Sequence, residues 1–325
     1  MEKSFIPFHS KITGDCSFCS TKNTRLVSPI DLKDRFELLA STYKEDQNGT
    51  SLITLLKDDW ALFPNLDNAN AQRLLAEILD NGEIVRKKYE AKHIDSFELD
   101  HWNNLSNELK HNNRFFGEIF LDLGRLEEYL SHLLFELVEI SNKWYRARRQ
   151  YNQDPFSIDQ MGAPPKELAN SGRANPEGIP YLYLATNIET AVSEIRPHTG
   201  EYISIAEFEI NEQLKVVDLR DPRKNVSPFG LAEEEEIIKL RVDMELLIRL
   251  GNELTRPVLP DSASINYIPS QYLCEFIKKC NYDGVIYNSA MGKGSNLALF
   301  QPKKYSAKRV STYMVDKVSF EVIEI

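Results

Sequence analysis

The sequence predicts an α+β protein with two parts, an α-helical domain over residues 1–140 and a mixed α/β domain over residues 141–325. Apolar residues recur at helical spacing through the first part. In the second part, short apolar strands and amphipathic helices interleave without a regular βαβ repeat. The length of 325 residues agrees with two domains, because one domain takes roughly 100–200 residues.

Two amphipathic stripes define the clearest helices of the first part. One predicts a helix over 71–79, with Asn68 or Asn70 as its N-cap and Gly82 as its terminator. The other predicts a longer helix over 123–140, where leucines recur at helical spacing. We therefore expect the first 140 residues to be helical.

The second part shows strands and helices in alternation. Strands are predicted over 144–148, 181–185, 202–210, 214–219 and 282–287. A helix follows the second of these strands, beginning with the capping box Thr186-x-x-Glu189 and stopping before Pro197. A longer helix over 231–250 is expected to end at Gly251.

Composition excludes several classes of protein. The chain has 39 Lys and Arg against 49 Asp and Glu, a net charge of −10, which has the wrong sign for a protein that coats nucleic acid or an anionic membrane. No apolar run is long enough for a transmembrane helix, and the first residues do not resemble a signal peptide. Four cysteines do not make a disulfide framework, so we expect a cytoplasmic protein.

The segment over 172–197 is the most informative for function. It places Arg173 in a loop rich in Gly and Pro, Tyr183 on the following strand and Glu194 on the helix after it. A strand, a capping turn and a helix would fold these three residues back toward one another. From spacing alone, a loop arginine, a core tyrosine and a solvated glutamate are the alternative interpretation.

A second segment carries Ser289 and Asn296 on either side of a Gly-rich loop between two strands. We interpret them as hydrogen-bonding partners for a ribose, a phosphate or the carboxylate of Glu194. A serine nucleophile is the sharper alternative, but it requires a base, and neither segment contains a histidine. An ordinary hairpin turn is the structural alternative.

These segments resemble the RES domain, a toxin domain named for its Arg, Glu and Ser residues. In its motif a tyrosine follows the arginine by ten positions and a glutamate follows by eleven more, as Tyr183 and Glu194 follow Arg173. Ser289 supplies the serine. Arg146, in the segment Tyr-Arg-Ala-Arg, matches the arginine of the family's opening strand, and the resemblance covers about residues 141–305.

The resemblance implies a domain similar to ADP-ribosyltransferases of the diphtheria-toxin type, acting on NAD+. The residue types suit that substrate: Arg146 and Arg173 can clamp the diphosphate, and Tyr183 can stack on nicotinamide. Glu194 can stabilise the oxocarbenium character that develops when the nicotinamide–ribose bond breaks. Ser289 and Asn296 complete the predicted NAD+ site. No Gly-rich dinucleotide fingerprint follows a strand, so NAD+ is expected as a substrate and no cofactor is predicted.

The sequence thus predicts an NAD+ glycohydrolase toxin with a role in a toxin–antitoxin or anti-phage system. An ADP-ribosyltransferase that modifies a protein or nucleic acid is the alternative, and inorganic phosphate is a third acceptor to consider. The resemblance also implies an antitoxin or regulatory protein as a partner. We expect a homo-oligomer and neither membrane nor nucleic-acid binding.

The first part resembles the HEPN/RES N-terminal domain, to which we assign regulation or partner binding. Paired cysteines occur near the start of that domain, and Cys16 and Cys19 are one such pair. Two ligands are half of a structural zinc site, so no metal is predicted. Arg125 and His132 have a spacing used by HEPN ribonucleases. A ribonuclease with a RES binding module is therefore the alternative from another class, although we favour a structural interpretation of this pair.

Overall fold

A computed structural model describes residues 10, 12–94, 98–118, 121–135, 142–151, 153–210 and 214–319. The chain forms two compact units. The first unit comprises Met1–Leu99 and Arg223–Leu246, and the second comprises Asp100–Pro222 and Leu247–Ile325. The functional division expected at residues 140/141 stays a prediction.

The first unit combines helices with two small antiparallel sheets. Its helices are α1 (Lys33–Ser41), α2 (Leu52–Trp60) and α3 (Asn68–Leu79). Its strands are β1 (Ile12–Gly14), β2 (Thr24–Leu26), β3 (Tyr43–Ser51) and β4 (Lys88–Ala91), with β1 paired to β2 and β3 to β4. The expectation of a purely helical first part was therefore wrong. Strand β3 is largely polar and exposed, so it has no apolar pattern from which a strand could be predicted. It is a strand because its main chain pairs with β4.

The core of the first unit contains aromatic rings from separate segments. The ring of Phe36 lies 5.9 Å from that of Phe63 and 5.0 Å from that of Phe229.

Helix α3 of this unit has ends that differ from the sequence prediction. Its N-cap is Asp67, not Asn68 or Asn70, and it ends at Asp80 in the left-handed region, before Gly82. The Asp67 carboxylate is the cap because it accepts a hydrogen bond from the backbone N–H of Asn70 at 2.8 Å.

The second unit is built on one large sheet of eight strands. Its strands are β5 (Leu134–Phe135), β6 (Lys143–Arg149), β7 (Leu182–Ala185), β8 (Tyr202–Glu209), β9 (Val216–Asp218), β10 (Gly284–Asn288), β11 (Ser295–Leu299) and β12 (Arg309–Met314). The strand order is β12-β8-β6-β7-β11-β10-β9-β5, antiparallel except for the parallel pair β9 and β10. A mixed sheet with interleaved helices agrees with the predicted α+β class.

Six further helices lie within the described residues. They are α4 (Glu98–His111), α5 (Leu123–His132), α6 (Ile188–Glu194), α7 (Glu234–Thr255), α8 (Ala263–Asn266) and α9 (Ile268–Lys279). In the part of the chain that the structure describes, none of the helices is long and apolar enough to span a membrane.

Two predicted helix ends need correction. The helix predicted over 123–140 ends at His132, because Leu134–Phe135 leaves the helix to pair with Val216–Val217 of β9. Residues 136–140 of that prediction lie outside the described residues. Helix α7 does not end at Gly251 but continues to Thr255. There the glycine serves close packing, since a Cβ at that position would lie 2.4 Å from the carbonyl oxygen of Leu219.

The start of helix α6 also differs from the predicted capping box. Asn187 is the N-cap, and its side chain accepts a hydrogen bond from the N–H of Thr190 at 2.8 Å. The Thr186 hydroxyl instead accepts one from the N–H of Ser295 at 3.0 Å. Thr186 therefore ties the start of this helix to β11, which carries part of the candidate site.

The large sheet has two differently packed faces. One face carries the main apolar core, with residues such as Trp144, Leu184 and Leu297. On the other face, a smaller apolar cluster that includes Ala147 and Ala191 packs helix α6 against the strands. Side chains alternate between faces along a strand, so the neighbours of the core residues point toward α6.

A buried carboxylate stabilises the C-terminal half of α7. Glu253 has 1% of its side chain exposed and pairs with Arg249 at 3.1 Å and with Arg256 at 3.0 Å. We expect Glu253→Gln to lower the free energy of unfolding by about 3 kcal/mol, because it leaves two arginines beside a neutral group. Urea denaturation measures this, with the exposed Glu245→Gln on the same helix as control. Equal urea midpoints for the two variants would contradict the assignment.

Candidate functional site

A cavity of about 340 Å³ lies at the sheet beneath helix α6. This size falls in the range of small-molecule sites. Sequence-predicted residues that line it are Arg146, Arg173, Tyr183, Glu194 and Asn296. The structure therefore brings together residues separated by up to 150 positions in the chain, and the sixth predicted residue, Ser289, contacts Glu194 at its rim.

The strand pattern explains which side chains reach the cavity. Tyr183 alternates with Leu182 and Leu184, which face the main core, so its ring lies on the α6 side of the sheet. By the same alternation Arg146 would share the face of Trp144. Arg146 nonetheless lines the cavity, beside the position where Tyr145 of β6 pairs with Ala185 of β7.

Arg146 brings a buried guanidinium nitrogen without a partner among the described residues to the cavity. Its Nη1 atom is shielded from solvent and has no hydrogen-bond partner among the described residues. Burial, and to a lesser degree the charge of Arg148, lowers the pKa of Arg146 to about 10. The guanidinium thus stays charged at neutral pH. A buried charge without a partner is costly, so this side chain is suited to an anionic ligand.

Arg173 is held by main-chain carbonyl groups and an aromatic ring. Its Nη1 atom donates to the carbonyl of Arg256 at 2.7 Å and to that of Leu254 at 3.3 Å, at the end of α7. Its guanidinium lies 5.3 Å from the ring centre of Tyr267. The backbone carbonyl of Arg173 also accepts a hydrogen bond from Ser270 at 2.6 Å. These contacts leave the guanidinium charge without a carboxylate in direct contact among the described residues.

Tyr183 fixes the loop that carries Arg173. Its hydroxyl donates to the Asn175 side chain at 2.7 Å and accepts from the N–H of Ala174 at 3.0 Å. Gly172 is required beside it, because a Cβ there would lie 2.7 Å from the Tyr183 hydroxyl oxygen. Burial raises the pKa of Tyr183, so the hydroxyl stays protonated. The hydroxyl is thus occupied by the loop, while the ring lines the cavity.

Glu194 is held from one side by two hydrogen bonds. Its Oε1 atom accepts from the Ser289 hydroxyl at 2.6 Å and from the Asn296 side-chain amide at 2.7 Å. Among the described residues, no hydrogen-bond donor contacts Oε2. The carboxylate is therefore fixed in orientation with one oxygen available to a ligand.

Ser289 is arranged as a positioning group for that carboxylate. Its oxygen accepts hydrogen bonds from the N–H groups of Met291 and Gly292, at 3.0 and 3.1 Å, while its proton is donated to Glu194. A ribose, a phosphate and the carboxylate of Glu194 were the expected partners of Ser289 and Asn296. In the structure both side chains bond the carboxylate.

Three tyrosines that line the cavity and an asparagine that contacts Tyr183 carried no predicted role. Asn175 lies two positions after Arg173 in the same loop and is 3% exposed, and Tyr287 lies on β10, two positions before Ser289. Both residues lie inside the two sequence motifs, and this position is the signal from which they could have been predicted. Tyr145 and Tyr267 also line the cavity, but Tyr267 comes from a distant helix start that no motif marks.

Other candidate residues lie outside this cavity. Cys16 and Cys19 are free thiols in the turn between β1 and β2. No cluster of three or more metal-ligating side chains occurs within the described ranges. Arg125 and His132 lie on α5, where the Arg125 Nε atom donates to the Tyr129 hydroxyl at 2.9 Å. Neither of these two residues lines the cavity.

Two arginines and a carboxylate oriented by two hydrogen bonds thus lie at one tyrosine-lined cavity, an arrangement suited to an anionic ligand. The chain belongs to the RES domain family, whose model matches residues 143–322, more than half of its length. This confirms the resemblance drawn from the motifs. The HEPN-like character of the N-terminal part stays a prediction.

A solved structure, that of the M. tuberculosis MbcT-MbcA toxin-antitoxin complex, is similar to the chain at 14% sequence identity and a TM-score of 0.34. The similarity covers 58% of this chain and 92% of that one. No curated protein sequence matches the chain.

Proposed function

We propose that this RES domain protein is an NAD+ glycohydrolase that cleaves the nicotinamide–ribose bond. The observation that carries the proposal is the convergence of Arg146, Arg173 and a Glu194 carboxylate held by two hydrogen bonds in one cavity. Membership of the RES domain family supports NAD+ as the substrate, because domains of this kind act on NAD+.

Substrate binding rests on charge and aromatic surface. The unpartnered Nη1 atom of Arg146 offers a hydrogen bond and a charge to the diphosphate, and the guanidinium of Arg173 adds a second charge. The ring of Tyr183 offers a flat surface to nicotinamide. The loop that Tyr183 anchors keeps Arg173 and this ring at a constant separation, so the diphosphate and the nicotinamide are positioned together.

The chemistry rests on Glu194. As nicotinamide leaves with the bonding electron pair, C1′ of the ribose develops oxocarbenium character, and a nearby carboxylate stabilises this charge more than it stabilises bound NAD+. Water then forms the new bond to C1′, which gives ADP-ribose, nicotinamide and one proton. Ser289 and Asn296 occupy only Oε1, so Oε2 is the oxygen that faces no protein donor among the described residues. The carboxylate is oriented before substrate binds, which avoids reorganisation during the reaction.

The acceptor is tested by following NAD+ labelled on the adenine side. Hydrolysis predicts free labelled ADP-ribose with no added macromolecule and no phosphate in the buffer. Label that appears only on a protein or RNA band supports the ADP-ribosyltransferase alternative instead. A strict requirement for inorganic phosphate indicates phosphorolysis.

A toxin acting by NAD+ depletion is the biological role we propose, with an antitoxin or regulatory protein as its partner. Family membership supports this proposal. The HEPN-type ribonuclease is tested with His132→Ala. If this substitution abolished activity on RNA while Glu194→Ala left that activity intact, the N-terminal part would carry the chemistry.

Ser289→Ala tests whether orientation of the carboxylate matters. The substitution removes one charged hydrogen bond to Glu194, and we expect kcat for nicotinamide release to fall about tenfold, the effect of roughly 1.4 kcal/mol. The control is Ser193→Ala, since the Ser193 hydroxyl donates to the carbonyl of Glu189 on the same helix. A kcat for Ser289→Ala equal to that of the control would remove Ser289 from the mechanism.

A further inference from the structure

Tyr287 lines the cavity, although neither the sequence nor the proposed mechanism assigns it a role. It is on β10 directly opposite Asn296 of β11, so both side chains share the sheet face that α6 covers. Its side chain lines the cavity and is 2% exposed. The residue is thus buried beside the amide that holds Glu194.

The hydroxyl of Tyr287 differs from those of two neighbouring tyrosines. Tyr181 donates to Glu275 at 2.6 Å and Tyr183 donates to Asn175 at 2.7 Å. The Tyr287 hydroxyl makes no hydrogen bond to a described residue. A hydroxyl at the wall of a cavity that no described residue engages is available to hydrogen-bond a ligand.

The charges around this hydroxyl indicate where it would contact a substrate. Burial raises the pKa of Tyr287, the carboxylate of Glu194 raises it further, and the guanidinium of Arg173 lowers it. Both charged groups therefore act on the same hydroxyl, which stays protonated at neutral pH. In the proposed mechanism Glu194 acts at the nicotinamide ribose and Arg173 at the diphosphate, and the ribose lies where these two regions meet.

We propose that the Tyr287 hydroxyl is a substrate-contacting group that hydrogen-bonds a hydroxyl of the nicotinamide ribose. This inference rests on the proposed function. A phenol both donates and accepts a hydrogen bond, so it suits a sugar hydroxyl, which does the same. Hydrogen bonds to sugar hydroxyls strengthen as oxocarbenium character develops, and this contact would therefore contribute to the rate as well as to binding.

The test compares the wild-type protein with Tyr287→Phe on three substrates: NAD+ and its analogues lacking the 2′- or the 3′-hydroxyl of the nicotinamide ribose. With NAD+ we expect kcat/KM for nicotinamide release to fall about tenfold, as for one lost hydrogen bond. With the analogue that lacks the contacted hydroxyl, the variant and the wild type should be equally active. If Tyr287 had a purely structural role, Tyr287→Phe would be less active than the wild type on this analogue as well.

Thermal unfolding provides the matched control. Tyr287→Phe should unfold at the wild-type temperature or above it, because its hydroxyl has no hydrogen bond to lose among the described residues. Tyr181→Phe should unfold at a lower temperature, because it removes the bond to Glu275. Equal kcat/KM for wild type and Tyr287→Phe on NAD+, or the same loss on all three substrates, would overturn the inference alone. A wild-type protein that releases no nicotinamide from NAD+ would overturn the proposed function and this inference with it.

Discussion

Glu194→Gln is expected to lower kcat for nicotinamide release about 10²–10³-fold, the range found when one preorganised electrostatic group is removed from an active site. The amide has nearly the same shape as the carboxylate but no negative charge to stabilise the oxocarbenium ion. Glu194 is an exposed residue on a short helix, so we expect little change in folding. Release of nicotinamide from NAD+ by the full-length chain is the measurement.

Glu189→Gln is the matched control for this prediction. Glu189 lies on the same helix, is exposed and does not line the cavity. The control variant should keep the wild-type rate. Equal rates for Glu194→Gln and Glu189→Gln would exclude Glu194 from the mechanism.

Arg146→Met is expected to raise KM for NAD+ about 10- to 100-fold, the effect of losing one or two charged hydrogen bonds. It should not lower the free energy of unfolding, and an increase is the more specific result. The reason is that the Nη1 atom of Arg146 is buried without a partner among the described residues, so removal of the charge relieves a desolvation cost. Steady-state kinetics and urea denaturation measure the two effects.

Arg148→Met separates this role from a general effect of positive charge on β6. Arg148 donates to the carbonyl of Gln160, lies over the ring of Phe156 and does not line the cavity. It should change KM little and should lower stability through these lost contacts. A destabilised Arg146→Met with an unchanged KM would make Arg146 a structural residue.

Sequence motifs predicted which residues would meet but not how they would contact one another. The resemblance to the RES motif assigned Arg173, Tyr183 and Glu194 to one site, and all three line one cavity in the structure. The bonds of Ser289 and Asn296 to one oxygen of Glu194 depend on the register in which β10 pairs with β11, which no sequence spacing specifies. For that reason the sequence left ribose, phosphate and carboxylate open as their partners.

Elements without an apolar pattern were the ones that the sequence missed. Strand β3 is mostly polar, so its main-chain pairing with β4 leaves no periodic signal. The end of the helix predicted over 123–140 could not be read from leucine spacing, because Leu134 continues the apolar pattern while its backbone pairs with β9. Gly251 resembled a terminator, but its small size serves contact with the backbone of Leu219. In each case a partner distant in sequence decided the local structure.

The most direct test of NAD+ hydrolysis by the Glu194 site is the product balance of the purified full-length protein in buffer without phosphate or any added macromolecule. We expect equal amounts of nicotinamide and free ADP-ribose from wild type, and from Glu194→Gln neither product above about one hundredth of that rate. Intact NAD+ after incubation with wild type, or equal product from wild type and Glu194→Gln, would contradict it.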